Sequence, residues 1–187
     1  AELDRLHYLE DMLERYYNSH HFPRTINYLT RRVYDGQAFK FFEDLASAWQ
    51  QGQYYLLQHS REREYVFLLQ FIQQHWAGEF NLLQELLKLD YLSSFPTGHL
   101  PEEFARFNPD NNNDYLYRRI KDEEFIAAHF PQLTQLSHRE RRRRMHLEWL
   151  KLDIITNTYI SNPRPTFLVY NALRNKLETI VQTEPDL

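Results

Sequence analysis

The sequence predicts a mainly α protein. About six to seven helices form a helical body over residues 1–136, with an irregular connection at 93–121. A capped helix and a small antiparallel sheet, either a hairpin or a three-stranded meander, follow over 137–187 and pack on the same core. Three observations predict this. Apolar residues recur at helical spacing through the first half of the chain. The period then changes from helical to alternating near Met145. Only 4 glycines are present, which argues against a glycine-looped nucleotide fold or a turn-rich sandwich. A length of 187 residues suits one domain, or one domain plus an appendage. Such a chain buries roughly 70% of its unfolded surface.

Leu3, Leu6, Leu13 and Tyr17 mark a first helix ending near Asn18. It opens mid-pattern, without a cap or an initiator Met, and so reads as a piece of a longer protein. Alone, this helix is expected to fray or to cover its stripe against a second copy. Pro23 suits the first turn of a second helix, where its missing N–H needs no partner. That helix runs through Ile26, Leu29 and Val33, and Gly36 can take the left-handed conformation after it. Ala38, Phe41, Phe42, Leu45 and Trp49 face one way on a third helix, which stops near Gly52. Ser60 caps a fourth, with Glu62 and Glu64 at its positive end and a stripe of Tyr65, Leu68, Leu69, Ile72 and Trp76. A fifth, from about Phe80 to Leu92, is apolar nearly all round and is expected to be buried on two sides.

Ser93 to Asp114 carries Pro96, Pro101, Pro109 and a run of Asp and Asn, which read as irregular chain with one helical turn after Pro101. Asp122 to Phe130 reads as a short helix stopped by Pro131, and Ser137 with Glu140 has capping-box spacing. Met145, Leu147 and Trp149 alternate with polar residues before Leu150, Leu152 and Ile154 take over, giving a strand with a bulge near Trp149-Leu150. Thr166–Asn171 reads as a second strand entered from Pro163 and Pro165. Leu177–Val181 reads as a third, after a turn at Arg174-Asn175-Lys176. No internal repeat occurs, so a helical solenoid is not expected.

The composition limits the chemistry. With no Cys, the chain has no disulfide, thiolate metal site, iron–sulfur cluster or cysteine nucleophile of its own. The same absence fits a reducing cytoplasm. No secretory signal or 18-residue apolar run occurs, so no membrane partner is expected. A net charge of -4 exerts no global pull on nucleic acid. Arg139, Arg141, Arg142, Arg143 and Arg144 form the one conspicuous basic run and are candidate anion-binding residues, because guanidinium forks match phosphate oxygens. Their alternative role is electrostatic, in the last turns of a capped helix where cations are favoured. Nine histidines include the adjacent pair His20-His21 and the scattered His7, His59, His75, His99, His129, His138 and His146. None has metal-ligand spacing, so no metal ligand is assigned. The Asp110–Asp114 loop lacks the glycine and the reach of an EF-hand. No nucleophile elbow, Walker loop or dinucleotide fingerprint is present, so no catalytic or cofactor-binding residue is assigned. The doublets Tyr16-Tyr17, Phe41-Phe42 and Tyr54-Tyr55 could stack on bases, but at helical spacing they read better as core.

Several stretches carry a family resemblance. They are Leu9–Ser19 followed by Phe22-Pro23, then Phe39–Trp49, Glu85–Tyr91, and the Ser137–Arg144 helix running into His146. Together they resemble the uncharacterised C-terminal domain of cobalamin-binding radical-SAM proteins, a group similar to the anaerobic magnesium-protoporphyrin monomethyl ester cyclase. The resemblance is looser from Ile160 onward. It implies a parent enzyme that holds a [4Fe-4S] cluster, S-adenosylmethionine and cobalamin in domains outside this chain. The parent's three-Cys cluster motif and its Asp-x-His-x-x-Gly cobalamin motif are both missing here, so no catalytic residue carries over. The expectation is an accessory domain whose partner is the radical-SAM core of its own polypeptide. The rival expectations are a helical protein-interaction module and a weak RNA- or DNA-binding module using Arg139–Arg144.

Overall fold

The computed structural model describes residues 2–54, 60–96 and 99–185. The fold is mainly α, with a three-stranded antiparallel sheet at the C-terminal end. The chain divides into two compact units: Ala1–Tyr91 with Pro101–Glu103, and Leu92–Leu100 with Phe104–Leu187.

The first unit is built on α1 (Glu2–Leu13), α2 (Pro23–Tyr28), α3 (Ala38–Gln51), α4 (Arg61–His75) and α5 (Phe80–Ser94), the last of which ends in the second unit. Both α1 and α2 run on into a single π-helical turn, at Glu14–Asn18 and Leu29–Val33. Leu9, Met12 and Tyr16 are buried at spacings of one helical turn, whereas of the predicted stripe Leu6 and Tyr17 are exposed and Leu13 is half-buried, so the helix packs through a neighbouring face. Phe41, Phe42, Leu45, Ala46 and Trp49 line the buried face of α3. The Ser60 side chain accepts from the Arg63 amide and caps α4 as expected. Aromatic rings dominate the interior. Phe22 lies 4.2 Å from Tyr65 and 4.8 Å from Tyr16, and Trp49 meets Phe67 edge-on at 4.8 Å. Of the doublets, Phe41 and Phe42 are both buried, whereas Tyr16 is buried and Tyr17 is 59% exposed. Tyr54 stacks on Trp49; Tyr55, like His59, lies outside the described residues. On α5, Leu83, Leu86, Leu87 and Leu89 are buried, and so are Glu85, Lys88 and Asp90.

The second unit contains α6 (Asn112–Lys121), α7 (Glu123–His129), a 3-10 turn (Pro131–Leu133), α8 (His138–Arg144), β1 (Met145–Asp153), β2 (Thr158–Tyr170) and β3 (Leu177–Gln182). The strands form the three-stranded meander, in the order β1-β2-β3. Tyr115, Leu116, Ile120, Phe125, Ile126, Phe130 and Leu133 pack on the face of the sheet formed by Met145, Leu147, Phe167 and Val169. The Asp122 side chain accepts from the Phe125 amide at 2.9 Å, and Ser137 with Glu140 forms the predicted capping box.

Three further expectations change. The irregular connection assigned to 93–121 is helical from Asn112. The Asn run hides a stripe of Tyr115, Leu116 and Ile120, and Asp114 and Arg118–Lys121 sit at the ends the dipole favours. The division between units does not fall at 136/137: α6 and α7 share one core with the sheet. Finally, β2 begins at Thr158 and not at Thr166. Its register against β1 shifts between Leu150 and Leu152, and Pro163 falls in that irregular stretch. Pro165 is tolerated for a different reason. Its carbonyl accepts from the Thr183 amide at 3.1 Å, beyond the end of β3, and the reciprocal donor that a ladder would need is missing.

Candidate functional site

The basic run does not form one surface. Arg141 is 2% exposed and turned into the second unit. Its Nε donates to the Leu133 carbonyl (3.0 Å) and its Nη1 to the Ile120 carbonyl (3.1 Å) and Glu123 Oε1 (2.8 Å). Its Nη2 donates to Glu123 Oε2 (2.8 Å) and the Thr134 carbonyl (2.9 Å). A guanidinium has five N–H donors, and all are committed. Arg141 therefore leaves the candidate anion set: its fork already holds a carboxylate and three carbonyls. The hydrogen bonds from Arg141 hold the Glu123 carboxyl below its usual range. Arg144 is pinned to the Tyr170 carbonyl at 2.9 Å and to Glu178, and Arg142 reaches Asn113 Oδ1 at 3.3 Å. Arg139 and Arg143 are exposed.

The charged residues of α5 are placed just as firmly. Asp90 accepts from the Thr25 amide and Thr25 Oγ1, both at 2.9 Å, and from the Arg24 amide at 3.3 Å. Arg24 Nη1 lies 3.2 Å from the same carboxylate. Asp90 thus supplies from a distance the cap that Phe22 cannot give α2. Burial pushes its pKa up to about 6, against the pull of these bonds. Glu85 and Lys88 form a fully buried pair at 2.7 Å. Arg15 bridges Asp11 and Glu64, each at 2.9 Å, and its guanidinium lies over the Trp49 ring. Asp90 fastens α5 to α2 and Arg15 ties the first π-turn to α4, whereas the Glu85–Lys88 pair lies within α5.

In the second unit, Asn108 and Asn112 hold the outer edge of β1. The Trp149 amide donates to Asn108 Oδ1 at 2.8 Å and the Trp149 Nε1 to Asn112 Oδ1 at 3.0 Å. The buried Glu148 accepts from Asn108 Nδ2 at 3.1 Å, with His146 Nε2 at 3.4 Å. Among the described residues, no cluster of three or more His, Asp or Glu side chains is placed to hold a metal ion.

The first unit has two surface depressions of note. A groove of about 190 Å³ runs between α1 and α3, where Leu6 is 56% and Phe39 64% exposed. Arg5 bonds Glu43 at its edge. A cavity of about 480 Å³ opens between the two π-helical turns, with Tyr16, Tyr17 and Phe22 in its wall and His20 and Arg31 at its rim. That volume lies within the range of small-molecule sites. Sequence reasoning missed this cavity, because π-turns have no periodic signature of their own. The signal available was the Tyr16-Tyr17 doublet with Pro23 and Gly36 close by.

No described helix is long and apolar enough to cross a membrane. No curated protein and no solved structure matches the chain. A family model does, over residues 1–170, which include both units up to the end of β2. The chain therefore belongs to the DUF4080 family, described as a protein of unknown function.

Proposed function

We propose that this chain is an accessory domain of a cobalamin-binding radical-SAM enzyme. It packs on the substrate side of the radical-SAM core and contributes no catalytic group of its own. The observation that carries this reading is the α1–α3 groove. Leu6 and Phe39, both more than half exposed, give an otherwise well-packed unit an uncovered apolar strip. On this reading the radical-SAM core of the parent polypeptide covers that strip. The resemblance through Leu9–Ser19, Phe39–Trp49 and Glu85–Tyr91 supports it, because those stretches build this unit's packing.

The cofactors of such an enzyme do not fit here. A [4Fe-4S] cluster is held by thiolates, and the sequence has no Cys. Cobalamin ligation through Asp-x-His-x-x-Gly has no counterpart. The cluster, S-adenosylmethionine and cobalamin belong to the parent's other domains, and the reading puts the protein in the cytoplasm. The test compares amide hydrogen exchange in this chain alone and in the full-length gene product. Residues 5–13 and 38–47 gain protection in the full-length protein if the groove is covered by the core. Equal exchange in both, or stoichiometric retention of iron–sulfur or cobalamin by this chain after anaerobic reconstitution, overturns the reading.

A further inference from the structure

We propose that the cavity between the two π-helical turns binds a small molecule with a planar, apolar body and one anionic group. This goes beyond the accessory role and does not depend on it.

Four features meet at this cavity. The first is the pair of π-turns. The Ser19 amide reaches the Glu14 carbonyl at 3.1 Å and the Tyr34 amide the Leu29 carbonyl at 2.9 Å, each five residues back. A π-turn inserts an extra residue into a helix, and such turns occur frequently at functional sites. Two of them line one cavity here, through Tyr16 and Tyr17 on one side and Thr30 and Arg31 on the other. The second is backbone strain at the same rim. His20 has φ 57°, a conformation a non-glycine residue holds only when its surroundings impose it. The third is an open mouth. Gly36 lines the cavity with φ 80°, and a Cβ built there would meet no atom within 4 Å. The left-handed Asp35 before it (φ 49°) turns the Gly36 amide back to the Thr30 carbonyl, 2.9 Å away.

The fourth feature is the chemistry of the wall. Tyr16, Tyr17 and Phe22 offer ring faces and edges, and Pro23, Ile26 and Ala38 complete an apolar lining. Such a surface favours a flat ring system. The polar rim carries His20, Asn27 and Arg31, and no carboxylate lines the cavity. Arg31 makes no hydrogen bond or ion pair among the described residues. An uncommitted guanidinium beside aromatic rings selects a carboxylate, sulfonate or phosphate on the ligand.

The test uses two probes of one shape, the anionic dye 8-anilino-1-naphthalenesulfonate and the neutral N-phenyl-1-naphthylamine. Both are titrated by fluorescence, and amide shifts are recorded by NMR. The anionic dye is expected to bind with shifts centred on residues 14–20 and 29–38. Arg31→Gln should weaken it about tenfold and leave the neutral dye unchanged. Ala38→Trp, at an exposed position on the cavity wall, should weaken both at least tenfold; circular dichroism checks that the variant is folded. Shifts centred on Leu6 and Phe39, or affinities indifferent to both substitutions, overturn the site. Equal weakening of the two dyes by Arg31→Gln overturns the anionic requirement.

Discussion

Each unit buries one charged side chain that serves the backbone of distant elements, and the two do so with opposite chemistry. In the first unit, Asp90 on α5 accepts from the opening amides of α2. In the second, Arg141 on α8 donates to carbonyls at the end of α6 and around the 3-10 turn. The guanidinium meets five acceptors with five donors, two of the acceptors being the oxygens of the exposed Glu123 carboxylate that balances its charge. The carboxylate of Asp90 is fully buried beside an arginine that is one-third exposed, and burial outweighs its bonds. One charge is fully compensated and the other is not. The difference shows that a buried ion is secure when its hydrogen-bonding capacity, and not merely its sign, is matched.

Removing the compensated charge has the largest effect. Arg141→Ala should cost about 3–5 kcal/mol in chemical denaturation, because it strands buried carbonyls and opens a cavity. Arg141→Lys should recover less than half of that, since three donors on one nitrogen cannot span the same acceptors. A loss below about 1 kcal/mol for Arg141→Ala would show that water replaces the fork.

The second effect is one of pH. Asp90 has a folded pKa of about 6, above the ordinary carboxylate value, so the folded state binds its proton more tightly than the unfolded state. Its contribution is complete below about pH 4 and is lost as pH rises through 6. Roughly two pKa units correspond to about 3 kcal/mol. Denaturation midpoints measured from pH 4 to pH 7 should fall in the wild type, and the fall should be shallower in Asp90→Asn. Burial also raises Glu64, despite its Arg15 partner, and Glu64 leaves a smaller slope of the same sign in the variant. Identical slopes in the two proteins would remove Asp90 as the cause.

Local caps come next. Ser137→Ala breaks the capping box of α8 and should cost about 1 kcal/mol. The smallest effect belongs to the outward arginines. Arg139→Ala with Arg143→Ala should change stability by less than about 0.5 kcal/mol. A larger loss would mean that the exposed half of the run serves the fold as Arg141 does.

The capping box was legible because its partners stand three residues apart. The cap on α2 was not, because Asp90 follows Thr25 by 65 residues and only the tertiary fold joins them. The basic run was legible as a helix end, but the run alone does not say which arginine turns inward. A hint was present: Arg141 lies one turn before Met145, which opens the buried face of β1. The stripe of α6 was masked by Asn111, Asn112 and Asn113, whose loop-favouring side chains are overruled by the packing of Tyr115, Leu116 and Ile120. The cavity site was only half visible. Its aromatic residues stood out, but the two π-turns that bring His20 and Arg31 to one rim follow from packing and leave no mark on the periodicity.

Pro165 has a further consequence at the sheet's edge. β2 is more than twice as long as β3, so the half of β2 leading up to Pro165 lacks β3 as a neighbour on that side. An unguarded edge of that length is a template on which a second molecule can add a strand, the first step toward aggregates. The proline removes a donor where the shared ladder stops, and the irregular stretch around Pro163 breaks the even spacing an incoming strand would need. The residues that shorten the sheet also keep it from growing between molecules.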